Sequence, residues 1–159
     1  MHNPLPVPEA YGRLLTELLG KKVSVKKAPA AIGPADVRGV ASYVDTAKLV
    51  HYAIAADGSF LAGMGAALAM IPSNIVAEAV RAPKLPDNLV ENAYEVLNIG
   101  ASVFNDIEGT ALHVKISKLM TAPVPDEVMG KLGKAPVRLD LIASVPGYPD
   151  GKVTFFALR

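Results

Sequence analysis

The amino-acid sequence predicts an α+β fold, an antiparallel-rich β-sheet with helices packed on one face. Three observations lead to it. Runs that alternate apolar and polar residues recur along the chain: "KKVSVKK" at 21–27, "VRGVASYVD" at 37–45, "ALHVKISKLM" at 111–120, and the closing pair "VRLDLIASV" at 137–145 and "GKVTFFAL" at 151–158. A period of two is the signature of a strand with one buried face. Helical periodicity is gathered at the start of the chain and between residues 73 and 104, instead of separating every pair of strands. A doubly wound parallel sheet would need that regular alternation, so helices set against an antiparallel sheet fit the order better.

Each element follows from local chemistry. Leu14, Leu15, Leu18 and Leu19 recur at helical spacing from about Pro8, and Gly20 is placed to stop that helix, since glycine accepts the left-handed conformation in which helices end. "APAAIGPAD" at 28–36 is a Pro/Gly loop inside the domain, because strand-like runs resume at once. "LVHYAIAADGSFLAGMGAAL" at 49–68 reads as two strands joined at Asp57-Gly58, a dipeptide that suits a tight hairpin turn. Ser73 is a candidate N-cap for a helix reaching about Ala82, and Asn88 for the long helix that runs to about Phe104. "PDEVMGKLG" at 125–133 makes a short helix at best, and "PGYPDG" at 146–151 turns the chain between the last two strands.

Composition bounds the function. At 159 residues one domain, residues 1–159, can bury roughly 70% of its unfolded surface without disulfide or metal. The formal charge of +1 gives no field that would draw nucleic acid or an anionic membrane; Lys21, Lys22, Lys26 and Lys27 cluster on an alternating run and read as a solvated edge. There is no cysteine, so thiol chemistry is excluded. The first twenty residues carry Glu9, Glu17 and three prolines, unlike a signal peptide, and the apolar run at 59–77 is broken by Pro72, Ser73 and Asn74 before it could span a bilayer. A cytoplasmic location is expected.

Most side chains with chemical potential resolve into bland roles. His2, His51 and His113 are far apart and have no second ligand at metal-site spacing. "GMGAAL" at 63–68 lacks the Lys-Ser/Thr of a phosphate-binding loop, and its small residues are better explained by close packing. Met64, Met70, Met120 and Met129 read as core filling. No serine has a His-acid pattern beside it that would raise a hydrolase triad.

The long helix is different. At about 100° per residue, Leu89, Ala93, Val96, Leu97, Gly100, Val103 and Phe104 occupy roughly one third of its circumference, the core face. Glu91, Glu95, Asn98 and Ser102 fall within an arc of about 60° on the opposite side. Geometry alone allows these to be the ordinary wet face of an amphipathic helix.

"ENAYEVLNIGASVFND" at 91–106, however, resembles the Glu-x-x-Asn helix of the CheC, CheX and FliY group of bacterial chemotaxis phosphatases. The order of helix, "GKKVSV", loop, "VRGVASYVD", "DGSFLAGMGAALAMI" and two helices resembles that family from near residue 5 to near the C-terminus. The chain carries one Glu-x-x-Asn, so it is most similar to the single-site CheX type; Glu91 stands where the family pattern has Asp or Ser. The resemblance implies a CheC/CheX-like fold and a phosphorylated CheY-like receiver domain as partner. It implies Asn98 as the residue that orients the attacking water, Glu95 as the docking residue for a receiver lysine, and Glu91 and Ser102 as further partner contacts. It implies no cofactor held by this chain, with Mg²⁺ expected on the receiver, and a homodimer; apolar runs such as "LVHYAIAA" at 49–56 would be hazardous as exposed edges. Two other readings remain: a non-catalytic dimerisation or adaptor module in two-component signalling, and a small-ligand-binding domain using apolar space under "GMGAALAMI".

Overall fold

The computed structural model describes residues 2–159. Its elements are α1 (Pro8–Leu19), β1 (Ser24–Lys27), a 3-10 turn (Pro34–Asp36), β2 (Val37–Val44), β3 (Val50–Asp57), α2 (Gly58–Leu68), α3 (Ser73–Arg81), α4 (Asp87–Ile99), α5 (Ser102–Asn105), β4 (Lys115–Thr121), α6 (Asp126–Gly133), β5 (Val137–Ser144) and β6 (Gly151–Ala157). Six strands form one sheet in the order β1-β5-β6-β3-β2-β4, and every neighbouring pair is antiparallel. The predicted fold class is therefore the observed one.

The pleat decides what each face meets, because successive strand residues point to opposite sides. Tyr43 of β2, Ile54 of β3 and Phe155 of β6 enter the main core, packed with residues of α1 to α5. Phe104 lies at its centre, stacked on Tyr52 at 4.2 Å and against Phe155 at 5.5 Å. Val40, Ala53, Ala55 and Phe156, in the alternate positions, face the other way and are joined by Leu132 of α6. The sixth helix thus covers the reverse face, which its short apolar pattern did not reveal.

Several boundaries depart from the sequence reading. Asp57-Gly58 is not a hairpin: β3 passes directly into α2, and the Asp57 side chain accepts a 2.8 Å hydrogen bond from the Phe60 backbone N–H as the helix N-cap. Residues 58–68 form a helix instead of a strand, and the sequence hides it because nearly all of them are buried, on every side of the helix, which erases the periodicity by which a surface helix is recognised. The small residues do permit close packing, as expected, but between helices: a methyl on Gly65 would collide with the Leu89 carbonyl of α4. Asn92 of α4 adds a 3.2 Å bond to the Gly65 carbonyl. Pro72 and Pro86 stand at the N-caps of α3 and α4, with no side-chain cap bond at either; Ser73 is the first residue of α3 and Asn88 the second of α4. Met70 is 84% exposed and fills no core.

Gly20 closes α1 in the left-handed conformation, as predicted. His51 is satisfied by Asp45 at 2.7 Å and Asn3 at 3.1 Å. No helix among the described residues is long and apolar enough to cross a membrane.

Candidate functional site

The exposed side of α4 carries the residues that the sequence singles out. Leu89, Ala93, Val96 and Leu97 are buried as expected, and Glu91, Glu95 and Asn98 are exposed. Glu95 and Asn98 are three residues apart, which places them as neighbours on one helix face. Two residues not anticipated share the surface: Tyr94 is 37% and Ile99 41% exposed. An arc of two carboxylates and an amide is therefore flanked by apolar area, a composition better suited to docking than to solvation.

The helix does not run evenly to Phe104. Beyond Ile99 it tightens: Ala101 donates to the Asn98 carbonyl at 3.2 Å and Val103 to the Gly100 carbonyl at 3.0 Å, i-to-i+3 bonds that mark a 3-10 joint. Gly100 permits the joint, because a Cβ there would lie 3.1 Å from the Val96 oxygen and 3.2 Å from that of Leu97. Asn98 thus stands on the last turn of α4. Ser102 lies across the joint on α5, half-buried, with its hydroxyl donating to the Ile99 carbonyl at 3.2 Å. Ser102 braces the joint, whereas Glu91 lies two turns before it.

The end of α4 is held from below. Tyr43 of β2 is 0% exposed, and its hydroxyl donates to the Leu97 carbonyl at 2.8 Å. That oxygen belongs to the last helical turn, where carbonyls lack an intrahelical donor. Burial pushes the Tyr43 phenol well above its ordinary pKa, so the hydroxyl remains a donor. Phe104 packs edge-on against the Tyr43 ring at 5.1 Å. Asn105 then ties α5 to the segment before β4, donating to the Val114 carbonyl at 2.9 Å and accepting from its N–H at 2.8 Å. Sequence periodicity marks Asn98 as outward-facing, but a tyrosine 55 positions away carries no local signal that it fixes Asn98's neighbour.

An exposed carboxylate and amide on a braced turn can bind a cation and align a water. The amide oxygen accepts and its NH₂ donates, and neither titrates near neutral pH.

The chain has the fold of the CheX, FliY and FliM middle domains. CheX of Borrelia burgdorferi, solved as a CheX–CheY–BeF₃–Mg²⁺ complex, matches with a TM-score of 0.55 at 15% identity, covering 93% of this chain and 92% of that one. FliM of H. pylori, solved with SpeE, matches at 0.63 and 8% identity over 94% and 80% of the two chains. FliY of Thermotoga maritima matches at 0.53 and 12% identity over 93% and 82%. No protein-family model and no curated protein matches the sequence.

Proposed function

We propose that this protein docks through α4 onto a phosphorylated CheY-like receiver domain and accelerates loss of its phosphoryl group. The observation that carries the reading is the exposure of Glu95 and Asn98 together on one face at the C-terminal end of α4, in a fold shared with a protein solved as a CheX–CheY–BeF₃–Mg²⁺ complex. A receiver phosphoaspartate already has Mg²⁺ and a lysine on its own protein, so a phosphatase need only deliver an aligned water. The Asn98 amide oxygen accepts a hydrogen bond from that water. The water oxygen bonds to phosphorus, the P–O bond to the aspartate breaks, and the carboxylate is restored as inorganic phosphate leaves. Glu95 pairs with a receiver lysine and sets the docking register, while Glu91 makes a contact at the rim. The chain itself needs no cofactor in this scheme, and action on a receiver places it in the cytoplasm.

Asn98→Ala tests the reading. Radiolabelled phosphate loss from a cognate receiver should slow on the order of a hundredfold, since a misplaced nucleophile forfeits orientation. The thermal melt should stay level or rise, because alanine is the better helix former at an exposed position. Glu95→Lys should weaken receiver binding with the melt unchanged. Equal rates with and without Asn98 would return it to the ordinary wet face.

A second reading draws on the likeness to FliM, solved with SpeE: a non-catalytic docking module would bind a receiver saturably without hastening phosphate loss. The small-ligand reading loses its space, because "GMGAALAMI" falls largely on the buried helix α2, packed against the α4 backbone at Gly65.

A further inference from the structure

The reverse face of the sheet carries a groove of about 580 Å³ between α6 and strands β2, β3 and β4, on the side away from α4. Its floor is apolar and already well packed: Val40 and Ala53 of the sheet and Leu132 of α6 are buried, with Met120 half-buried beside them. Leu49, 44% exposed, also lines it. Among the described residues, every charged side chain that lines it is basic: Lys48, Lys118, Lys131, Lys134 and Arg159. These are five of the 16 basic residues in a chain whose net charge is only +1, so the concentration is local. Lys131 shares its charge with Glu127 at 3.6 Å, and the Arg159 guanidinium donates to the Val50 carbonyl at 2.7 Å. Lys48, Lys118 and Lys134 are exposed and come from a turn, an edge strand and the end of α6 respectively, so the positive charge surrounds the apolar strip.

We infer that this groove docks an acidic amphipathic helix of a protein partner, with its apolar stripe on Leu49, Met120 and Val128, the accessible apolar side chains above the packed floor, and its carboxylates against Lys48, Lys118 and Lys134. The distribution of charge selects the occupant. A fatty acid would supply one carboxylate to a rim of several cations, and a flat bilayer would meet the lysines without reaching a floor recessed between helix and sheet. An amphipathic helix places apolar residues at i, i+3, i+4 and i+7 with charge on both flanks, which matches an apolar strip bordered by cations. The volume lies within the range of about 300–1,000 Å³ typical of ligand sites.

The test uses the full chain and a synthetic helical peptide with leucines at i, i+3, i+4 and i+7 and glutamates on both flanks. Isotope-labelled protein is titrated by NMR and affinity is read from fluorescence anisotropy. Shifts should localise to Leu49, Lys118, Met120 and Lys134. Lys118→Glu with Lys134→Glu should weaken binding on the order of tenfold or more by like-charge repulsion, and salt of about 0.3 M should weaken it further. Glu95→Lys, on the opposite face, should leave it unchanged. The inference is overturned by equal binding of a peptide with lysine in place of glutamate, by shifts confined to α4, by absence of saturable binding, or by lysine-dependent binding to phosphatidylglycerol vesicles without binding to the peptide. A thermal melt of the double variant matching that of the unaltered protein ensures that lost affinity reports the groove and not unfolding.

Discussion

At the scale of single residues, the pairing of Tyr43 with Leu97 links core to surface. The phenol is fully buried and its hydroxyl satisfies the carbonyl next to Asn98. Tyr43→Phe removes the donor and leaves a buried carbonyl unpaired, at a cost of about 1–3 kcal/mol, so the melting temperature should fall. If the last turn of α4 delivers the water, the same substitution should lower kcat for receiver dephosphorylation while KM holds, because the exposed docking side chains are untouched. An unaltered melt would show that the carbonyl finds another partner, and a raised KM with normal kcat would move Tyr43's influence from water alignment to docking. How much of the site the sequence reveals follows from the same contrast. Glu91, Glu95 and Asn98 are legible because α4 keeps a clean helical period. Tyr94 and Ile99 escape because apolar residues next to the core arc look like core. Ser102, placed on the same arc by the helical period, lies half-buried on α5, because that period does not anticipate the joint at Gly100.

At the scale of elements, the junction of β3 and α2 is where sequence reading fails, and Asp57 is the reason. Asp-Gly serves a tight turn and a helix start alike, since the aspartate side chain can accept from the backbone in both. The following eleven residues, buried on all sides, give no period to decide between them. β1 and α4 are legible because each has one wet face, whereas β6, buried on both faces, is legible from its β-branched and aromatic residues. Asp57 also yields a pH prediction. Burial, the leading cause, raises its carboxyl above the ordinary 3.8, against bonds from the Phe60 and Lys152 backbone N–H groups. A carboxyl raised on folding contributes stability that is present below the unfolded value and lost as pH rises through the folded one. Near neutral pH the ionised form is therefore held at a cost. Asp57→Asn keeps an acceptor oxygen and removes the charge, so at pH 7 it should melt no lower than the unaltered protein, whose relative stability should then improve as the pH falls toward 4. Asp57→Ala, which loses the cap itself, should cost about 1–2 kcal/mol at either pH. Thermal melts of the three proteins across that range decide it, and an asparagine variant much weaker at pH 7 would show that the carboxylate charge stabilises α2.

At the scale of the whole molecule, the strand order limits how two copies could pair. The apolar run that raised the possibility of an exposed edge belongs mostly to β3, which lies between β6 and β2 in the interior of the sheet, so it offers no edge to a partner. The outer strands are β1 and β4. β1 is four residues long and bears exposed Lys26 and Lys27, while β4 has seven residues with exposed Lys115 and Lys118; lysine on an edge is a common guard against indiscriminate pairing. If the protein forms a closed two-fold pair, β4 is the longer template, and antiparallel pairing centred on its middle residue, Lys118, would set the two Lys118 side chains opposite each other. Directly opposed like charges are unfavourable, so such a pair should tighten as salt screens them. Light scattering at tens of micromolar should then show a mass approaching twice that of the chain, higher in about 0.5 M salt than in about 0.05 M, and Lys118→Thr should bring the low-salt mass up to the high-salt value. A strict monomer in both conditions would sink the pairing, and a dimer indifferent to both salt and Lys118→Thr would place its interface away from β4.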